Sequence, residues 1–326
     1  MTAISIVVPT LNRCESLRKL LLSILRQTSL PEEVIVVDDS DDDETLKLVR
    51  ENSDFFSNKG ILLMYSRGNR DDRSISAARN IGATKSTGEI VLFLDDDVVL
   101  DSKYIEEVLK TYEEYPEAKG VQGYMVSEEG QLSNFRGILV NSVNRVFFMG
   151  LPLKKNVCFY HLGIVYPYSP NRIIQCNWLH GSNMSLKREV FQRFRFDENL
   201  RRRSIGEDLD LSYRIYKRYP NSLFMNSRAR LIHRSTFSAC ALNKSSVYRD
   251  ALYFVYLFFK NYEQTIQNRV LLLWSLLGRL VIGRGLYLFV SKDVKSFFNA
   301  IEAYMYTLSN LNDVRRGDFR FIDSIV

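Results

Sequence analysis

Four short runs rich in Ile, Val and Leu punctuate the first hundred residues: ISIVVPT, EEVIVVDDS, GILLMYS and GEIVLFLDDD. Stretches with apolar residues at helical spacing separate them. That alternation constrains the fold more than any other feature. Strands that are apolar throughout must be covered on both faces, and helical crossovers that return the chain in the same direction supply the cover. A mostly parallel, Rossmann-like α/β sheet layered by helices follows. The expected helices are CESLRKLLLSILRQ, SDDDETLKLVREN, ISAARNIGATKS and DSKYIEEVLKTYEEYP. Ser40 is placed to cap the second, with acids in its first turn, and Asp101 and Pro116 bound the fourth. Ligands of such sheets bind beyond the carboxyl ends of the strands. Here those ends carry Pro9-Thr10, Asp38-Asp39 and Asp95-Asp96-Asp97.

The last cluster is costly, because three neighbouring carboxylates repel one another and resist leaving water. A divalent cation would offset that cost, and hard oxygen ligands suit Mg2+ or Mn2+ beside substrate phosphates. A solvated strand-end turn is the plain alternative, and the apolar flanks on both sides weigh against it. On an extended backbone Asp95 and Asp97 point one way and Asp96 the other. Other nucleotide-binding devices are missing. The first turn reads PTLNR rather than G-x-G-x-x-G, and neither a P-loop nor a G-x-S-x-G elbow occurs. The acidic run from Asp39 fails as a calcium loop, with Glu44 and Arg50 at the positions that need Gly and Glu. Asp41, Asp42, Asp43 and Glu44 read as acids on a wet helix start.

Further along, GEDLDL sets Glu207 and Asp208 before an apolar helical face. Paired acids are ordinary there, and a general base is the functional alternative. Asp210 is expected to pair with Arg214 at i+4. His233 ends the apolar run RLIHRS, where a ligand role and a structural one are both open, and His161 and His180 have weaker claims. CNWLHGSNMSLKREVF joins Trp178 to a turn holding Gly181 and Asn183. An aromatic face suits a sugar, and a core Trp would look the same.

Together SIVVPTLNR, VIVVDDS, AARNIGA, GEIVLFLDDD, GSNMSLKREVF and GEDLDLSYR resemble the family-2 glycosyltransferases of GT-A fold, over about residues 3–235. The resemblance implies sugar transfer from a nucleotide-diphosphate donor, commonly UDP-linked, with Mn2+ or Mg2+ and usually with inversion. It implies that Pro9, Thr10, Leu11, Arg79, Asn80, Asp95 and Asp96 line the donor pocket. Asp39 would accept from the base or ribose, with Asp38 its alternative, and one of Arg67, Arg70 or Arg73 would reach the nucleotide. Asp95, Asp97 and His233 would hold the metal, Asp208 would be the base with Glu207 beside it, and Trp178, Gly181 and Asn183 would face the acceptor. No Q-x-x-R-W occurs, so one transfer per encounter is expected rather than polymer extrusion. The acceptor implied is a cell-surface glycan or lipid-linked saccharide. A nucleotidyltransferase and an inactive glycan- or nucleotide-binding module are the rival readings.

The net charge of +6 suits an anionic partner. Basic residues are scattered among acids, which excludes the pattern of a nucleic-acid-binding sheet. The N-terminus lacks a signal-peptide pattern and the four cysteines are widely spread, so a cytoplasmic enzyme with reduced thiols is expected. Residues 1–245 are assigned to the transferase domain and 246–326 to an apolar helical C-terminal extension. Within it VLLLWSLLGRLVIGRGLYLFV has nearly the length of a membrane span but contains Arg279 and Arg284. Each Arg would cost ~2.5–3.5 kcal/mol at mid-bilayer. Peripheral contact with the inner face of the membrane through residues 265–295, or a soluble cap or dimer surface, fits better.

Overall fold

The computed structural model describes residues 2–70, 73–126, 172–201, 206–234, 244–280 and 294–319. They fall in two compact units. One combines residues 2–70, 73–126, 172–201 and 207–234; the other holds residue 206, 244–280 and 294–319. Residues 127–171, with Cys158 and His161, lie outside the described residues, as do Cys240, Gly283, Arg284 and Gly285.

In the first unit the four apolar runs are β1 (Ile4–Thr10), β2 (Glu33–Asp38), β3 (Leu62–Arg67) and β4 (Ile90–Phe93). They lie in the order β3-β2-β1-β4 with every neighbour parallel. Parallel neighbours need crossovers, and α1 (Cys14–Ile24), α2 (Glu44–Ser57) and α3 (Ile75–Lys85) provide them. Every residue of β1, β2 and β4 is buried, whereas edge strand β3 exposes Leu62 and Arg67. Beyond β4 the sheet continues through β8 (Met184–Lys187), β6 (Gly120–Val126), β9 (Leu223–His233) and β5 (Val98–Leu100), and β7 (Ile173–Cys176) also pairs with β9. In that half β6 and β9 run parallel, while β8, β5 and β7 pair antiparallel. Helices α4 (Tyr104–Glu114) and α5 (Glu207–Arg218) complete the unit.

Two caps differ from expectation. The Ser40 hydroxyl accepts the Asn12 N–H at 2.8 Å, so it is spent on the β1 turn. Helix α2 begins instead at Glu44, whose N–H is taken by Asp42 at 3.0 Å. Asp101 acts one step ahead of α4, accepting the Lys103 N–H at 3.1 Å. Helix α3 lies unusually close to the sheet at Gly82, where a Cβ would sit 2.1 Å from Val7 Cγ1. That approach carries the polar residues Arg79 and Asn80 into the interior.

The second unit contains α6 (Lys244–Asn261), α7 (Ile266–Gly278), α8 (Val294–Ser309) and α9 (Leu311–Arg316). Arg279, an obstacle to a membrane span, pairs with Asp250 at 3.0 Å and lies 4.2 Å from the Phe254 ring centroid. No helix of the described residues is long and apolar enough to cross a membrane.

Candidate active site

The carboxyl ends of β1, β2 and β4 converge as the parallel order requires. Pro9 is buried in β1, Leu11 is half-buried, and the Thr10 hydroxyl donates to Asp96 Oδ2 at 2.8 Å. The neighbours Asp38 and Asp39 have different fates. Asp38 accepts from Ser40 N at 2.9 Å and from the Tyr65 hydroxyl at 2.9 Å. Asp39 is 6% exposed, and its Oδ1 is buried with no hydrogen-bond partner. Burial, and then the Asp38 charge, push the Asp39 carboxyl up to about 6. Gly68 permits this approach, since a Cβ there would lie 1.9 Å from Asp39 Oδ1.

The three arginines, one of which is expected to reach the nucleotide, are all held by the acidic run. Arg67 donates to Asp43 at 3.1 Å and to the Tyr65 hydroxyl at 2.8 Å. Arg70 donates to the Asp42 carbonyl at 3.1 Å, and Arg73 is ion-paired with Asp41. These acids therefore latch the arginine loop rather than merely opening a helix.

In the triple-Asp turn, register explains the geometry. Antiparallel pairing sets Val98 opposite His233, so β9 delivers the imidazole beside Asp97. His233 Nε2 lies 2.9 Å from Asp97 Oδ1, and Arg13 Nη1 lies 2.8 Å from Asp97 Oδ2. Burial alone would raise the Asp97 carboxyl, but the bond and charge of His233, with Arg13, hold it below its ordinary value. Burial opposes protonation of His233, and the bond and charge of Asp97 outweigh it, so its pKa rises. Asp96 points away to Thr10 and Arg13, and burial above all raises it to about 6. Ligand atoms of Asp95, Asp97 and His233 all lie within 4.8 Å of one another. Two carboxylates and one imidazole gathered that closely could hold a divalent metal ion.

Facing this cluster, α5 opens after Gly206, whose φ of +99° suits glycine. Asp208 accepts the Gly181 N–H at 2.8 Å and the Leu209 N–H at 2.7 Å. Burial, then the Asp208 charge, raise Glu207 to about 7 against the pull of Arg79, and burial raises Asp208 as well. Asp210 pairs with Arg214 at 2.7 Å, as its spacing predicts.

Several expected contacts turn inward. Arg79 is 1% exposed and engages Glu207, Asp95 and the Gly181 carbonyl rather than bordering an open pocket. Asn80 is buried and clamps Phe196 and Glu198. Asn183 is fully buried, and its Oδ1 accepts the Gly123 N–H at 3.0 Å. Trp178 is 4% exposed, with its ring edge-on to His180 at 5.4 Å, so it supports His180 from the interior. The partners that hold Arg79, Asn80 and Asn183 in the interior are distant along the chain, so no local pattern announces them. Sequence reasoning did not single out Arg13 or Tyr65, which engage Asp97 and Asp38. The His180 ring lies 6.4 Å from that of His233, and burial lowers its pKa to about 4. No local pattern links Arg13 to the strand-end acids, which lie 83 and 84 residues further along the chain.

The family described as Glycosyl transferase family 2 matches residues 5–180. The glucosyl-dolichyl phosphate glucuronosyltransferase of Haloferax volcanii is 28% identical over 244 residues, 71% of this chain and 69% of that protein. Glycosyltransferase GlyA of Streptococcus pneumoniae is 25% identical over 223 residues, 68% of this chain and 29% of that protein. Among solved structures, Staphylococcus aureus TarS 1–349 in complex with UDP-GlcNAc has a TM-score of 0.58 at 16% identity, covering 98% of this chain and 88% of that one. At that identity the likeness shows the fold.

Proposed function

The chain belongs to glycosyl transferase family 2, and from that premise we propose that it moves a sugar from a UDP-linked donor to an acceptor hydroxyl, with a divalent metal and with inversion. The observation that carries this reading is the clustering of Asp95, Asp97 and His233 within 4.8 Å. Mn2+ or Mg2+ held by these three residues would offset the charge of the diphosphate and of the leaving nucleoside diphosphate. The partnerless Asp39 Oδ1 supports a role in accepting a hydrogen bond from the base or ribose, and the engagement of Asp38 favours Asp39 over its neighbour. Thr10 and Asp96, joined by a hydrogen bond, are the further donor contacts of this reading.

Asp208 is the proposed base. Two backbone N–H groups fix its carboxylate, and it takes the proton from the acceptor hydroxyl. As the acceptor oxygen bonds to the anomeric carbon, the bond from that carbon to the donor phosphate oxygen breaks. Attack opposite the leaving group inverts the centre, which NMR of the product tests. Without a Q-x-x-R-W motif a single transfer per encounter is the reading that follows.

The acceptor we favour is a glycan or lipid-linked saccharide, in keeping with the name of the haloarchaeal relative. Contact with an anionic lipid surface on the cytoplasmic side, through residues 265–295, accompanies it. That segment holds five Lys or Arg and one acid. Its helix α7 exposes Ile266, Val270, Leu273, Trp274 and Leu277; residues 281–293 lie outside the described ones. Calorimetric titration of nucleoside diphosphates with Mn2+ and then EDTA tests the donor site. Metal-dependent UDP binding supports the reading. Donor hydrolysis without any measurable transfer or nucleotide binding would not arise from this site, and failure of all three would leave an inactive binding module.

A further inference from the structure

Among the described residues the largest fully buried side chain is a cation, Arg79. Its guanidinium joins three segments far apart in sequence. Nη1 donates to Glu207 Oε1 at 2.8 Å, and Nη2 donates to Asp95 Oδ1 at 3.0 Å and to the Gly181 carbonyl at 3.0 Å. The plane packs 5.4 Å from the Phe196 centroid. Gly181 makes the approach feasible, since a Cβ there would lie 2.8 Å from Nη2 and 2.9 Å from Nη1. The same Gly181 donates its N–H to Asp208 at 2.8 Å.

We infer that Arg79 is a positioning residue that couples the metal-holding carboxylate to the base without touching the donor. This rests on the roles proposed above for Asp95 and Asp208. Three carboxylates crowd this region, and their mutual repulsion favours turning them apart. A planar fork with fixed donor directions opposes that rotation in a way a point charge cannot. With Asp95 Oδ1 engaged by Arg79, its Oδ2 is the oxygen left for a cation. With the Gly181 carbonyl engaged, the turn that presents its N–H to Asp208 is held as well. One side chain therefore sets both halves of the reaction geometry, while Thr10 and Asp39, which have other partners, are independent of it.

The test compares the wild-type chain with Arg79→Lys, Arg79→Met and Gly181→Ala, each first checked for folding by circular dichroism and thermal melting. Three quantities are read: UDP affinity in EDTA, Mn2+ affinity in the presence of UDP, and kcat and KM for the donor. Arg79→Met is expected to leave UDP affinity in EDTA unchanged. Its Mn2+ affinity should fall about 10–100-fold, as for other residues that orient metal ligands. Its kcat should fall on the order of 100-fold through misplaced groups, with KM little altered. Gly181→Ala should reproduce the pattern although it keeps the arginine, and Arg79→Lys should restore only part of it.

Arg79→Met with wild-type Mn2+ affinity and kcat overturns the inference. So does a loss of UDP affinity in EDTA, because it would make Arg79 a donor contact. If Arg79→Met does not fold, Arg79→Lys and Gly181→Ala decide by the same criteria. Wild-type protein that binds UDP equally in Mn2+ and EDTA overturns the metal reading itself, and this inference with it. Metal dependence at full wild-type strength in the variants overturns only the inference.

Discussion

Asp38 and Asp39 share a sequence position in all but one step, yet one carboxylate is saturated and the other keeps a bare oxygen. If Asp39 accepts from the nucleotide, Asp39→Asn should weaken UDP binding by about 1.5–3 kcal/mol, the range for a hydrogen bond to a charged group. The sign of the pH effect follows from its raised pKa of about 6. Below that value the carboxyl is protonated and loses acceptor strength, so wild-type affinity should climb as pH rises through it, and the Asn variant should lack the climb. Calorimetry across that range decides. The base makes a second prediction at this scale. Glu207 is raised to about 7 by burial and then by Asp208, and the two titrate as a pair. Transfer needs ionised Asp208, whose pKa burial raises, so kcat/KM should fall as pH drops through that raised pKa. Asp208→Asn should reduce kcat about 10^2–10^4-fold with donor binding retained. Glu207→Gln removes a neighbouring negative charge and should move the acidic limb to lower pH; an unmoved limb would separate the two groups. The strand-end carboxylates were legible in the sequence because they end apolar runs, and Glu207 and Asp208 because they precede an apolar helical face. Their partners were not, since Arg13 and Arg79 reach acids 84 and 128 residues away.

Elements fix what single residues cannot. The alternating apolar runs announce a parallel half-sheet, but no local pattern states that Val98 pairs with His233, and that register brings the imidazole to Asp97. Ser40 shows the reverse failure, because a residue with good capping chemistry was drawn instead to the backbone of the neighbouring turn at Asn12. Helix α3 offers a stability test. Glycine inside a helix ordinarily costs about 1 kcal/mol relative to alanine, so Gly82→Ala would stabilise an isolated helix. Here the added methyl would meet Val7 Cγ1 at 2.1 Å, and backbone separation of α3 from β1 is the way to relieve it. Overpacking of this kind costs ~1–3 kcal/mol. Denaturant melts of Gly82→Ala should therefore show net destabilisation, and a stabilised variant would mean that the helix can move freely off the sheet.

At the scale of the whole molecule, the apolar C-terminal stretch has to be reconciled with its arginines. Arg279 is neutralised by Asp250 and packed on Phe254, so it is part of a helical interior rather than a charge carried into lipid. What remains apolar and exposed is organised. Ile266, Val270, Leu273 and Leu277 recur at spacings of four, three and four along α7, with Trp274 beside them, and Val294, Phe298, Met305 and Leu308 line α8. Helix α7, which exposes such a face with Arg269 and no acid, suits the headgroup region of an anionic bilayer, where each Lys or Arg adds ~1 kcal/mol. The chain should therefore float with vesicles of equal phosphatidylglycerol and phosphatidylcholine, release as salt is raised, and ignore pure phosphatidylcholine. Val270→Asp with Leu273→Asp should abolish flotation while UDP binding stays intact, because neither residue belongs to the sugar-transfer site. Salt-insensitive flotation would remove the charge argument. A dimer in vesicle-free solution that the same pair of substitutions dissociates would assign the face to a second copy of the chain, and the lipid reading would fall.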